Sequence, residues 1–143
     1  MIQVILGEKG SGKTKRLIDM TRESAINEQG LVVFIDDDKR YMYDLPHQIR
    51  FVDASEYVSK EHRSCDWFLG FVGGMMAANF DIGVIYVDAF LKLTATKNHF
   101  DELQFLFEKL HALGQSGDHK VTFVLSVSAN PTELPAFITS CAI

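Results

Sequence analysis

At 143 residues the chain is long enough for one domain with a substantial core and too short for two, since a domain of about 150 residues buries roughly 70% of its unfolded surface. Apolar residues at 47% and charged residues at 23% exclude disorder as the default state. A formal charge of -5 excludes a surface built to blanket nucleic acid or anionic lipid, so any phosphate must be held by a few local groups.

The first element is "IQVIL" at 2–6, a continuous apolar run rich in branched residues, as expected of a strand buried on both faces of a parallel sheet. No basic segment precedes it, and it is shorter than the apolar core of a signal peptide. We therefore expect a cytoplasmic, unanchored chain. The strand runs into "GEKGSGKT" at 7–14, which fits G-x-x-x-x-G-K-[ST], the P-loop pattern, in its proper setting of strand before and helix after. Gly7 ends the strand, while Gly10 and Gly12 allow backbone angles that a Cβ would block. The amides from Gly10 and Ser11 onward are then free to form a nest for the phosphates of a nucleoside triphosphate. Lys13 would reach the terminal phosphate oxygens as a point charge and Thr14 would place its hydroxyl on Mg²⁺. Leu17, Ile18, Thr21 and Ala25 mark the apolar face of the helix that follows.

A second strand, "LVVFI" at 31–35, leads into "DDDKRYMYDLPHQIR", a polar loop at the carboxyl end of a parallel strand, where ligands of open α/β sheets bind. Asp36, Asp38, Lys39, Arg40, Tyr41 and Tyr43 are candidates there. "IRFVD" at 49–53 is short enough to be an edge strand. The apolar run at 67–80 falls short of the ~20 residues that span a bilayer. It reads as a helix, and its Gly70, Gly73 and Gly74 suggest close backbone approach to a neighbour. The alternative is a homo-oligomer or protein-partner face made of Trp67, Phe68, Phe71, Met75 and Met76.

"IGVIYV" at 82–87 is the third long buried strand, and Asp88 at its end is the candidate second Mg²⁺-side carboxylate. Asp36 is its rival. Ala89 stands where many hydrolysing P-loop ATPases carry Glu, which points to slow turnover or to a base supplied by Asp36, Asp37 or Asp38, or by a partner chain. Phe100, Leu103, Phe107 and Leu110 predict a further helix, with Gly114 as its C-terminal cap. "VTFVLSV" at 121–127 predicts the last strand; its trailing Ser126, Ser128 and Asn130 resemble the polar strand end that touches the γ-phosphate in RecA-like P-loop proteins, although buried hydroxyls bonding their own backbone would give the same letters. Asn130 and Pro131 predict the start of a short final helix. Cys65 and Cys141 match no metal or disulfide spacing, and the histidines show no pairing at ligand spacing.

Strand and helix alternate throughout, so we expect an α/β fold: one domain over 1–143, with a mostly parallel central sheet of about five strands and helices on both faces. Taken together, "GEKGSGKT", "VVFIDDDKRYMYDL" and "SANPTELPAFI" resemble small P-loop proteins of Gram-positive bacteria labelled ATP-binding or twitching-motility ATPases, within the RecA-like P-loop superfamily. The resemblance implies nucleotide binding. ATP with Mg²⁺ is the expected cofactor, since no Asn-Lys-x-Asp guanine-reading motif occurs. Three activities are open at this point: a slow ATPase or ATP-driven switch using Lys13, Thr14 and Asp88; a nucleoside-type small-molecule kinase; and a nucleotide-dependent binding module without hydrolysis.

Overall fold

A computed structural model describes residues 1–143. Five strands form one parallel sheet: β1 (Ile2–Gly7), β2 (Leu31–Asp36), β3 (Arg50–Asp53), β4 (Ile82–Val87) and β5 (Thr122–Ser128). Their order is β1-β5-β4-β2-β3, so the last strand is inserted between the first and the fourth. All four pairings are parallel, and β3 is the short edge strand expected from its sequence. Five helices complete the chain: α1 (Lys13–Asn27), α2 (Cys65–Ala78), α3 (Phe90–Leu93), α4 (Leu103–Gln115) and α5 (Ala136–Thr139).

Because side chains alternate along a strand, the sheet feeds two separate cores. On one face Ile5, Phe34, Val84, Tyr86 and Val124 pack against Leu17 and Ile18 of α1. On the other, Val33, Ile35, Ile85, Phe123 and Leu125 meet Phe68 and Val72 of α2, Phe90 of α3, Leu106 and Leu110 of α4, and Ile138 of α5. Helices therefore cover both faces, as alternation predicts, but one face carries α1 alone. No helix is long and apolar enough to cross a membrane.

Three local expectations need correction or refinement. The helix placed at 67–80 starts at Cys65, because the Ser64 hydroxyl accepts the amide of Trp67 as an N-cap. Its Phe68 and Val72 are core, whereas Trp67, Phe71, Met75 and Met76 are only partly buried, with the Trp67 and Phe71 rings stacked at 4.9 Å. Gly70, Gly73 and Gly74 serve no close approach, since a Cβ added at any of them would meet nothing within 4 Å. Gly114 is not a cap either: it lies within α4, where a Cβ would stand 2.5 Å from the Val121 carbonyl oxygen. The tail behaves as read, with the Asn130 side chain accepting the Thr132 amide and Pro131 opening a 3-10 turn.

Candidate functional site

The carboxyl ends of β1, β5, β4 and β2 converge on a cavity of about 820 Å³. β1 ends at Gly7, where a Cβ would collide with Ser11 Oγ, and the chain then turns through Gly10 at φ 82° and Gly12 at φ 89°. Both are left-handed conformations that favour glycine. Gly12 is the residue before α1 and offers no capping side chain. As a result the amides of Gly10, Gly12, Lys13, Thr14 and Lys15 find no acceptor within the chain. Such a run of orphan donors at a helix N-terminus is an anion site in its own right.

Lys13 is 8% exposed, and its ammonium donates to the Glu8 carbonyl at 2.9 Å and, at 3.5 Å, to Ser11 Oγ. Burial pushes its pKa down, partly offset by the Asp88 carboxylate. The lysine is thus folded back over its own loop, with one donor still free to reach an anion. Thr14 donates its hydroxyl to Asp88 Oδ2 at 2.9 Å, bringing together the two residues that the sequence proposed as metal ligands.

Asp88 follows β4 and is itself anchored. The buried Ser126 hydroxyl donates to Asp88 Oδ1 and accepts the Ala89 amide at 3.1 Å. Ser126 therefore positions the acid and does not line the cavity, whereas Ser128 and Asn130 do. Ala89 takes the left-handed conformation at φ 55°, a strained turn directly after the acid. No cluster of three or more His, Cys, Asp or Glu is arranged for a metal. One hydroxyl and one carboxylate are what a Mg²⁺ ion needs when it keeps several waters and arrives with phosphate oxygens.

Asp36, the rival acid at the end of β2, lies in the same cavity. Burial, then the Asp88 charge, push its pKa up to about 7, although its Oδ1 accepts the Asp37 amide at 2.7 Å. The rest of the loop divides. Asp37, Asp38, Arg40 and Tyr41 line the cavity, whereas Lys39 pairs with Glu56 and Tyr43 is 91% exposed. The sequence reading missed Arg63, a buried cation paired with Asp37 at 2.5 Å, because nothing in "KEHRSC" distinguishes it from a surface residue.

No known protein family or curated protein matches the sequence. Among solved structures, a KaiC-like protein from the hyperthermophilic archaeon Pyrococcus horikoshii is similar at TM-score 0.64 and 18% identity, over 97% of this chain and 67% of that one. The flagellar accessory protein FlaH from Methanocaldococcus jannaschii is similar at TM-score 0.55 and 15% identity, over 97% and 65% respectively. The chain thus spans about two thirds of the length of each. At these identities the likeness concerns the fold alone, a parallel five-stranded sheet flanked by helices. The twitching-motility label finds no support in these matches.

Proposed function

We propose that this chain binds MgATP in the cavity at the end of its sheet and hydrolyses it slowly, as an ATP-driven switch. The observation that carries this reading is the set of unpartnered amides of Gly10, Gly12, Lys13, Thr14 and Lys15, meeting the Lys13 ammonium and the Thr14–Asp88 pair in one cavity, while the Ser11 amide is taken by the Glu8 carbonyl. The amides and Lys13 would cradle the phosphates. Thr14 and Asp88 would hold the metal, with Ser126 fixing the carboxylate. Mg²⁺, when bound, supplies charge neutralisation at the phosphate oxygens. Ala89 cannot act as a base, so we assign that role to Asp36, whose raised pKa suits proton acceptance near neutrality. ATP is chosen over GTP because no guanine-reading motif occurs. A switch needs a surface to signal through, and we place it on the partly exposed face of α2 around Trp67 and Phe71.

Calorimetric titration with ATP and GTP, with and without Mg²⁺, followed by phosphate-release assays, tests the reading. Wild type is expected to bind MgATP and Lys13→Ala to lose that binding. Asp36→Asn should retain binding and release phosphate about 100-fold more slowly. No heat with any nucleoside di- or triphosphate would end the proposal, and equal turnover in Asp36→Asn would remove the base assignment.

A further inference from the structure

A second cavity of about 360 Å³ adjoins the first, within the size range of small-ligand sites. Its walls include Lys60, Arg63, Lys92, Lys97, His99 and a single carboxylate, that of Asp37. In a chain whose formal charge is -5, this is a local reversal of sign. Lys60, Lys92 and Lys97 take part in none of the chain's ion pairs.

The informative residue is Arg63. It is 8% exposed, and its one charged contact runs from Nη2 to Asp37 Oδ1. That contact has ion-pair distance but not hydrogen-bond geometry, and both Asp37 Oδ1 and the buried Arg63 Nε lack a hydrogen-bond partner. A buried guanidinium normally uses its donors, and leaving one unmade costs about 1–3 kcal/mol unless a ligand or water supplies an acceptor. Its planar fork suits carboxylate and phosphate oxygens.

The segment that carries Lys92 and Lys97 is held in place. Thr94 and Thr96 are 1% and 0% exposed, their hydroxyls are 2.8 Å apart, and Thr94 Oγ1 donates to the Phe90 carbonyl. The Thr96 amide donates to the Leu91 carbonyl at 2.9 Å, which fixes the chain just before Lys97. Asp37, Lys92 and Lys97 line both cavities, so a molecule in the second would lie beside one in the first.

We propose that this second cavity binds the oxyanion group, phosphate or carboxylate, of a small ligand, with Arg63 as the central donor and Lys60, Lys92 and Lys97 around it. The site stands without the nucleotide reading. Only the ligand's place beside a nucleotide rests on that reading.

The test is an amide-resolved NMR titration of the full chain with inorganic phosphate and, separately, with malonate. Saturable shifts are expected at residues 60–63 and 92–99, and they should persist in Lys13→Ala, which weakens the P-loop as a competing anion site. Lys60→Ala and Arg63→Lys should each weaken binding about tenfold. Should the buried Arg63→Lys fail to fold, the exposed Lys60→Ala carries the comparison. A response to only one of the two probes supports the site and identifies its oxyanion. Absence of saturable shifts at these residues with both probes, or unchanged affinity in the variants, overturns the proposal. MgATP added to wild type separates the two readings: if it fails to bind while the anion shifts persist, the nucleotide reading falls and this site remains. Loss of the anion shifts with MgATP binding intact gives the reverse.

Discussion

Asp36, Asp37 and Asp38 are consecutive and chemically identical, yet each has a different environment. Asp36 is buried beside Asp88, Asp37 meets Arg63, and Asp38 accepts from the backbone amide and guanidinium of Arg40. Their partners come from distant segments or depend on how the strand end is buried, so the sequence nominated all three and could not rank them. Burial makes a prediction at this scale. With a pKa of about 7 when folded and an ordinary value of 3.8, Asp36 holds its proton more tightly in the native chain. That contribution is complete below about pH 4 and is lost as pH rises through about 7. In metal-free protein, Asp36→Asn keeps the Oδ1 acceptor for the Asp37 amide and removes the charge. Urea denaturation should find it more stable than wild type by on the order of 2–4 kcal/mol at pH 8, with the gap closing towards pH 4. An equal gap at both pH values would show that ionisation is not its cause.

The glycines separate what an element declares from what its neighbours impose. The P-loop glycines were legible because their roles are local, a fixed spacing between a strand and a helix. Gly114 was misread as a cap, since the reason for it, the Val121 carbonyl, belongs to the start of the next strand segment. Gly70, Gly73 and Gly74 were misread in the opposite direction, as if a neighbour pressed on them. Substitution distinguishes the cases. Gly73→Ala adds a methyl in open space and should raise stability by about 0.5–1 kcal/mol through helix propensity. Gly114→Ala gains the same propensity but meets the carbonyl oxygen, and should lower stability by about 1–3 kcal/mol. Both are measured by chemical denaturation, and a stabilising Gly114→Ala would mean that α4 shifts freely against β5.

For the molecule as a whole, alternation of apolar strands with amphipathic helices made the α/β class and the five strands readable. Strand order was not readable, because nothing local tells β5 to enter between β1 and β4. That insertion places Ser126 beside Asp88 and turned an expected phosphate contact into a support for the acid. It also leaves β1 at an edge, where the final residues cover it. The Val4 amide donates to the Cys141 carbonyl at 2.9 Å, the Ile143 amide to the Val4 carbonyl at 3.0 Å, and Arg16 of α1 reaches the Ile143 carbonyl at 2.8 Å. Unpaired edges recruit other chains. Removing residues 141–143 should therefore cost about 1–3 kcal/mol and promote association at higher concentration, read by denaturation and light scattering. A truncated chain as stable and monodisperse as the whole would show the cover to be dispensable.

Trp67 is the chain's one indole, stacked on Phe71 and absent from the walls of both cavities. Its emission is consequently a built-in optical gauge of what rests on α2. A blue shift on raising protein concentration would register a covered helix, and under the proposed switch MgATP added to dilute protein should move the spectrum as well, an unmoved spectrum counting against signalling through α2.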